Sequence, residues 1–413
     1  MINNRHETYT YCCIYALSLL TLFSCNDGSK QQSTTVVEKE STHIIDLSEL
    51  DFSDEPQRLS EFADSLSYIR LSDEPLLPDL LTIEQIAMDD SGYIYVDQRN
   101  INKYTAEGKF VKQLFKHGQG PGEVAQKLRE TAFDWDKRVA KIQDYGYSNG
   151  RKVFSLDGVW LYNEDVMDSM EYIRHPVAYI DGKEIFYHKN RSHYYKRGDP
   201  FNVDGPILWY VKDTRNGEIV FQKKNPFYHI TVEKGRAMAM LSNYPVSRGE
   251  IDSVFWMRHI HQDTLFRTCN AIYWQPWYVL HTGDKESEYK TKIELMTNPM
   301  SSSKARTIKM ISQLYPLPTG VLYKYCSLGI EKTGTGFCKA DSKALTVSEK
   351  PFVNDLDNHL KNVEIPFNML YQRAGYLYFL VDAWRFLEEG CTPPFPNLTE
   401  DSNPIIVKMK LKS

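Results

Sequence analysis

Residues Tyr104 to Glu123 read YTAEGKFVKQLFKHGQGPGE, and this stretch decides the fold. A tight turn at Glu107 and Gly108 is followed by a strand and then by a glycine-rich corner. Polar and apolar side chains fall on both faces of the strand, as expected where part of a sheet meets neighbouring sheets and part meets water. The stretch therefore predicts the outer half of one blade of a β-propeller.

The neighbouring residues continue this pattern. Upstream, Tyr93 to Asp97 is a second strand, opened by the turn from Asp89 to Gly92. Asp and Ser form local side-chain turns there, and glycine adopts a positive φ without steric strain. Strand, short turn, strand is an antiparallel meander, the unit of a blade. From Ile83 onward we count about six such units, separated by Asp-Gly, Asn-Gly and Ala-Gly turns.

The corner from Gly118 to Glu123 has two interpretations. Three glycines and a proline allow a sharp reversal of the backbone, which suits either a phosphate-cradling loop or a corner between blades. Known phosphate loops open a helix after a buried parallel strand, and the loop of nucleotide triphosphatases also needs Gly-Lys-Ser/Thr. That tripeptide is absent from the sequence, and the context is a meander, so we favour the corner.

Together, Tyr-x3-Gly-Lys-Phe-Val from Tyr104 and Gly-Gln-Gly-Pro-Gly-Glu from Gly118 resemble the six-bladed β-propeller lipoprotein family of Bacteroidetes, similar to NHL-type and TolB-like propellers. Ser65 to Leu71 resembles the opening strand of that family, and Asp401 to Val407 resembles its closing strand. The resemblance implies an exported all-β protein with six blades, whose two chain ends share one blade. It supplies no catalytic residues.

We expect one helical insertion in this all-β fold. Lys285 to Gln313 is rich in Glu, Lys, Met, Ile and Leu, with a break at Asn298-Pro299. Helical spacing of its apolar residues indicates either a lid packed on a blade or a gate over the propeller mouth, and we favour the packed lid. The predicted fold is thus a six-bladed β-propeller over residues 56–413 with a short helical insertion.

The first residues predict export and lipid anchoring. Residues 1–24 contain an apolar run too short to span a bilayer but suited to a signal peptide. The run ends in Leu22-Phe23-Ser24-Cys25, which resembles the lipobox of bacterial lipoproteins. We therefore predict acylation of Cys25, whose chains would hold the protein in outer-membrane lipid, on the periplasmic or the outer side. Residues 25–55 are predicted to be a flexible tether.

Composition narrows the class of partner. The chain has 413 residues, of which 42% are hydrophobic and 13% aromatic, enough for a folded β core. The net charge of −5 gives no basic field for nucleic acid. We expect a monomer without a cofactor, with a glycan, a peptide or an envelope protein as the partner.

Cysteine and histidine suggest two local sites. Cys326 and Cys338 flank a predicted hairpin, so they form either a disulfide or two buried thiols. His259, His261 and Asp263 alternate, so on a strand they would project from one face as a partial metal site, although a solvated strand face has the same pattern. The loop residues Asp355, Asp357 and Asn358 hint at calcium, but the rest of a calcium loop is missing.

Aromatic residues are the remaining candidates for ligand binding. Tyr194, Tyr195, Trp277 and Tyr278 lie in or beside loop-like sequence, where exposed rings stack on sugars or anchor proteins. The alternative is packing between blades. With no Gly-x-Ser-x-Gly and no His-Glu-x-x-His in the sequence, we predict an envelope binding module, and a propeller hydrolase or lyase with a polar or metal site at the channel is the alternative.

Overall fold

The computed structural model describes residues 42–77, 80–127, 131–144, 150–165, 175–187, 193–195, 207–226, 237–239, 247–251, 253–259, 262–281, 309–327, 333–342, 345–367 and 369–413. Within them, six main sheets, antiparallel except for one added strand in each of two blades, form the blades of a β-propeller, which confirms the predicted fold class. Residues 42–413 make one compact unit. None of the described helices is long and apolar enough to span a membrane.

The strands, in chain order, are β1 (His43–Asp46), β2 (Leu50–Ser53), β3 (Ala63–Arg70), β4 (Gln85–Met88), β5 (Ile94–Asp97), β6 (Ile101–Tyr104), β7 (Phe110–Gln113), β8 (Lys116–His117), β9 (Glu123–Val124), β10 (Ala132–Asp134), β11 (Val139–Gln143), β12 (Gly150–Ser155), β13 (Trp160–Asp165), β14 (His175–Ile180), β15 (Lys183–Tyr187), β16 (His193–Tyr195), β17 (Ile207–Asp213), β18 (Ile219–Lys224), β19 (Ala237–Ala239), β20 (Ser247–Ile251), β21 (Val254–Arg258), β22 (Thr264–Thr268), β23 (Gln275–His281), β24 (Lys309–Leu317), β25 (Gly320–Ser327), β26 (Thr333–Lys339), β27 (Leu345–Ser348), β28 (Phe352–Val353), β29 (Asn362–Val363), β30 (Tyr371–Arg373), β31 (Tyr376–Val381) and β32 (Ile405–Leu411). Blades 1 to 6 begin with β4, β10, β14, β20, β24 and β30.

The helical elements of the described residues are short 3-10 turns at Leu47–Glu49, Leu59–Glu61, Leu80–Thr82 and Ala383–Leu387. The predicted helical insertion, Lys285 to Gln313, is wrong at its end, because residues from Lys309 onward belong to the long strand β24. The rest of it lies outside the described residues. Pairing of β24 with β25 along its whole length explains the difference, since the hairpin turn at Leu317–Gly320 sets the register.

Three outer strands share the same local structure, a glycine-containing turn followed by a β-bulge. Gly108, Gly158 and Gly217 have φ values of +84°, +74° and +75°, and each closes the turn before an outer strand. The third residue after each glycine is the extra residue of a β-bulge, namely Val111 in β7, Leu161 in β13 and Val220 in β18. A bulge bends an edge strand and increases its twist. Blades 1 to 3 therefore form their outer hairpins with the same local geometry.

The ends of the chain close the ring in one sheet. The fourth sheet strand of blade 6 is β3, which pairs antiparallel with β32 from the carboxyl end of the chain. Tyr68 lies opposite Val407 in this ladder, as the resemblance of the two segments predicted. Sharing a blade between the chain ends removes an open sheet edge and joins the first blade to the last.

The first strands differ from the predicted tether. β1 pairs parallel with β23 of blade 4, and β2 pairs parallel with β27 of blade 5. The folded unit thus begins near residue 42, so the predicted boundary at residue 56 is wrong. The physical reason is burial, because Ile45, Leu47 and Leu50 enter the core. We call residues 43–70 the N-terminal belt, since it adds the outermost strand to blades 4, 5 and 6 in turn.

The apolar core follows the belt. One cluster runs continuously through blades 4, 5 and 6 and includes Leu50, Leu59 and Phe62 of the belt. Smaller clusters join blade 6 to blade 1, blade 1 to blade 2, and blade 3 to blade 4. The blades therefore hold together mainly by burying apolar surface between neighbouring sheets.

Candidate functional site

The first strands of the blades line the centre of the ring. β30 lies against β4, β20 lies against both β24 and β30, and β10 lies against β14. Because the first strands of a propeller run in the same direction around the central channel, the turns that follow them lie at the same end of the ring. Charged residues in and beside those turns therefore come from different blades, although they are far apart in sequence.

Blade 6 is tied to blade 1 at this end. The Tyr371 hydroxyl donates to the carbonyl of Met88 at 3.1 Å. The Arg373 guanidinium donates to the carbonyl of Asp89 and forms an ion pair with Asp90, with Nη2 2.8 Å from Oδ1. Burial raises the pKa of Tyr371 to about 12, so its hydroxyl stays protonated and remains a donor.

The turn after β4 fixes where Asp90 points. The buried Asp89 carboxylate accepts from the backbone N–H groups of Ser91 and Tyr93, both at 3.0 Å, and from the Tyr95 hydroxyl at 2.9 Å. Those bonds close the turn through the side chain of Asp89. Its neighbour Asp90 is left with a side chain that is 97% exposed and can meet a ligand.

Glu250 on β20 completes the charged group. Solvent reaches its side chain, yet surrounding protein raises the pKa of its carboxyl by desolvation. Arg373 opposes that rise, whereas the charges of Asp90 and Asp136 add to it. Blades 1, 2, 4 and 6 thus each contribute one charged side chain to a shared electrostatic field, which we call the acidic channel end: Asp90, Asp136, Glu250 and Arg373.

This group has a definite chemical capacity. Three carboxylates supply hydrogen-bond acceptors, while one guanidinium supplies donors and offsets part of the negative charge. Hydroxyl groups and ammonium groups suit such a set. Among the described residues, no three His, Cys, Asp or Glu side chains are arranged to hold a metal ion.

A second charged group lies between blades 2 and 3. Lys141 Nζ is 2.9 Å from Glu164 Oε1 and 3.0 Å from Glu184 Oε1, and Arg151 approaches the same two carboxylates at 3.4 and 3.5 Å. Burial alone would raise the pKa of Glu184, but Arg151 and Lys141 outweigh it and hold that pKa below its usual value. The group joins two sheets with charges and is best explained as structural.

The predicted metal residues do not share a strand, so that prediction is wrong in its geometry. His259 is buried and follows β21, and its carbonyl accepts from Gln262 N at 2.9 Å in the turn before β22. Asp263 accepts from the Thr264 hydroxyl at 2.9 Å. His261 lies outside the described residues. A turn between Arg258 and Thr264 breaks the alternation that would have put the three side chains on one face.

Of the four candidate aromatic residues, Tyr278 is 3% exposed and belongs to the core. Its ring stacks on His43 of the belt with centroids 5.0 Å apart, and its hydroxyl donates to Gly320 O. Trp277 is half-buried, with the Arg267 guanidinium 5.2 Å from its ring centroid. The backbone of Tyr194 and Tyr195 pairs with β19, but their side chains lie outside the described residues.

The predicted disulfide is wrong, although the predicted hairpin is correct. β25 and β26 pair so that Cys326 lies opposite Thr333 and Cys338 lies opposite Val321. The two cysteines are therefore near opposite ends of the hairpin, roughly 15 Å apart along strands that rise about 3.3 Å per residue. A disulfide needs Cα atoms within about 7 Å, so this register does not allow one.

The glycine corner and the calcium hint both have structural explanations. Glu123 turns its carboxylate back into the corner and accepts from Gly120 N at 2.9 Å, so a negative charge already occupies the loop.

The aspartates that hinted at calcium are engaged by the belt. Asp355 accepts from Ser60, and Asp357 accepts from the Tyr68 hydroxyl at 2.8 Å. These carboxylates fasten an insertion to the belt.

Sequence reasoning missed Glu250 and Arg373, but a signal was available. Arg373 directly precedes the Ala374-Gly375 turn, and Glu250 stands one residue before the end of β20. Asp90 occupies the corresponding turn of blade 1. Collecting the charged residues beside the first turn of every unit would have found the acidic channel end.

Comparison with known proteins gives a family and a fold. The model of family DUF4934, described as a domain of unknown function, matches residues 42–410. No curated protein matches the chain significantly. A candidate exported protein of Bacteroides fragilis has a similar structure, with a TM-score of 0.59 and 14% identity over 90% of this chain and 100% of that chain.

A DUF4221 member from Bacteroides vulgatus aligns with a TM-score of 0.46 and 11% identity over 85% of this chain and 99% of that chain. The match to the first structure shows the fold alone, whereas the family model spans nearly all the described residues. This chain therefore belongs to the DUF4934 family and folds as a six-bladed β-propeller.

Proposed function

We propose that this protein is an exported, lipid-anchored binding module of the bacterial envelope, which holds an ammonium- or hydroxyl-bearing ligand at the acidic channel end. The observation that carries the proposal is the ion pair of Arg373 and Asp90 between blades 6 and 1, whose charges, together with that of Asp136, act on Glu250 of blade 4. Candidate ligands are amino-substituted glycans and peptides with a free amine. Such ligands offer the donors that three carboxylates can accept.

The proposed export and lipid anchoring of the protein are supported by its first residues and by a structural relative. Cys25 ends an apolar run in a lipobox-like context, and the similar Bacteroides fragilis structure is described as a candidate exported protein. Growth with labelled palmitate tests the anchor. We expect label in the wild type and none in Cys25→Ala; label that persists in the variant contradicts lipidation at this residue.

The raised pKa of Glu250 gives the binding proposal a pH signature. A bound cation favours the ionised carboxylate, so binding a cation displaces a proton from Glu250 when that residue is protonated. Affinity for an amine should therefore weaken as the pH falls through the raised pKa of Glu250. A ligand bound through neutral hydroxyl groups should show a smaller dependence on pH.

Binding is tested with the full chain in detergent on glycan and free-amine peptide arrays, with affinities of the hits measured by calorimetry. We expect Glu250→Gln to weaken binding by roughly tenfold, the loss of one charge-assisted hydrogen bond. The matched control is Glu218→Gln in an exposed turn of blade 3. Equal affinity for both variants would remove the acidic channel end as the site.

A propeller hydrolase or lyase is the second candidate function, and one observation favours it. A raised pKa makes a carboxyl group better suited to act as a general acid, and desolvation raises the pKa of Glu250. Incubating each array hit with the protein and analysing products by mass spectrometry decides the matter. Turnover that Glu250→Gln abolishes would replace the binding-only function, as would a tightly bound stoichiometric metal ion.

A further inference from the structure

We propose that the outer edge of blade 2 is a docking site for an extended segment of a partner protein, which adds to β13 as a parallel strand and places a basic residue beside Asp165. This surface lies on the rim of the ring and is independent of the acidic channel end.

The edge exposes a continuous apolar run. Val159, Trp160, Leu161 and Tyr162 are 58%, 38%, 45% and 48% exposed. β13 is the last strand of its sheet, and no described strand pairs with its outer side. An edge strand offers unpaired backbone groups to another chain, and exposed apolar runs of this kind mark interaction sites.

The equivalent edges of the same molecule differ at this point. In blade 1, the bulge residue Val111 is followed by Lys112, and in blade 3 the strand ends in Lys223 and Lys224. Lysine on an edge strand discourages pairing with another chain. β13 has no lysine or arginine from Trp160 to Asp165. Blade 2 therefore has the outer edge best suited to accept a strand.

In blade 4, the equivalent outer strand already has an added strand paired with it. Its outer strand β23 has a bulge at Trp277, and β1 pairs parallel with the residues that follow, from Tyr278 to His281. The matching residues after the bulge at Leu161 are Tyr162 to Asp165. His43 of β1 stacks on Tyr278, whereas Tyr162 stands in solvent. A partner strand would cover Tyr162 as β1 covers Tyr278.

Charge specifies the occupant. In blade 4, Asp46 of the added strand lies opposite His281, with Oδ1 3.8 Å from Nδ1. The position of His281 is taken in blade 2 by Asp165, so a matching strand needs Lys or Arg where β1 has Asp46.

The tryptophan of this edge is held in place before any partner binds. Trp160 Nε1 donates to Asn163 Oδ1 at 3.2 Å. The Trp160 side chain also lies over Gly122 of the glycine corner, where an added Cβ would stand 3.0 Å from Trp160 Cβ. A fixed, half-exposed tryptophan loses little side-chain entropy on binding, which is typical of residues that dominate interfaces.

The test uses random dodecapeptides displayed on phage and selected against the full chain in detergent. Selected peptides are made with a fluorescent label, and their Kd is measured by anisotropy. We expect alternating apolar residues with one Lys or Arg. Tyr162→Lys should raise the Kd roughly tenfold or more, as for a central interface residue. Gln113→Lys, on the exposed edge of blade 1, is the matched control and should leave the Kd unchanged.

Asp165→Lys is the sharper variant, because it should switch the selected peptides from basic to acidic residues while keeping their apolar pattern. Amide hydrogen exchange should slow from Tyr162 to Asp165 when a peptide binds. Failure to select any peptide, or peptides that bind Tyr162→Lys as tightly as the wild type, would overturn the proposal. So would a dimer in light scattering that Tyr162→Lys abolishes, because the occupant would then be a second copy.

Discussion

Blades 4 to 6 and blades 1 to 3 share one architecture but finish their sheets in different ways. In blades 4, 5 and 6, the N-terminal belt supplies the outermost strand, and one continuous apolar core runs beneath it. In blades 1, 2 and 3, the sheets end in β7, β13 and β18, and charged side chains lie between blades 2 and 3. Among the described residues, the comparison shows that the added strands and the largest apolar cluster belong to one half of the ring, whereas the outer strands without a partner strand belong to the other.

Removing residues 42–53 should cause the largest loss of stability and so tests the difference between the two halves most directly. The deletion exposes the partners of Ile45, Leu47 and Leu50, and each such residue contributes roughly 1.5–3 kcal/mol when fully buried. We expect the free energy of unfolding, measured in urea, to fall by roughly 5 kcal/mol or more. An unchanged urea midpoint would show that the belt merely lies on a ring that is already stable.

Phe62→Ala tests the core beneath the belt. The Phe62 ring is fully buried, 5.0 Å from the ring of Phe337 and 5.4 Å from that of Phe352. Loss of a buried phenyl ring leaves a cavity and costs about 3–5 kcal/mol. Val111→Ala on the exposed edge of blade 1 serves as the control. Similar losses for both variants would contradict the division of the ring.

Glu184→Gln tests the charged junction of blades 2 and 3. The change leaves Lys141 and Arg151 buried with one carboxylate fewer, so we expect a loss of about 3 kcal/mol. The pKa of Glu184 is lowered in the folded state, so its stabilisation is complete above the ordinary glutamate pKa and is lost as the pH falls through the lowered value.

Urea unfolding of both proteins across the acid range measures the pH effect of Glu184. The gap between wild type and Glu184→Gln should be constant near neutral pH and should narrow in acid. Glu218→Gln, an exposed change in the same blade, should show no such gap. A gap that widens in acid would mean that the carboxyl group is protonated in the folded protein.

The smallest change in stability is expected at the exposed outer strands of blades 1 and 3. Val111→Lys and Val220→Lys alter exposed bulge residues, so the free energy of unfolding should stay within about 0.5 kcal/mol of the wild type. Thermal and urea unfolding provide the measurement. A loss above about 1.5 kcal/mol for either variant would indicate that its edge is covered in solution.

The sequence predicted the ring because its turns and its ends carry local signals. Gly108 marked a tight turn, and the segments around Tyr68 and Val407 were recognisable as a closing pair. The strings GKFVKQ from Gly108, GVWLYN from Gly158 and GEIVFQ from Gly217 carry the repeat more clearly than its poor overall similarity suggested. Aligned on the glycine, they would have located the bulges as well.

What the sequence did not predict depends on distant partners. His43 to Leu50 showed an apolar patch, but its pairing with β23, opposite Tyr278, depends on residues more than two hundred positions away. The cysteine register depends on where the turn of the hairpin falls, and a shift of a few residues separates the thiols. The acidic channel end has no spacing rule, since four blades contribute one residue each.

The belt has a consequence for how the protein is made. Its strands β1, β2 and β3 emerge from the ribosome first, yet their partners begin at Tyr278, Leu345 and Ile405. Contacts between residues so far apart form late and slowly, because a long loop must close first. The earliest segment of the domain must therefore wait for the last, and premature capture of that segment by another chain would leave three blades unfinished.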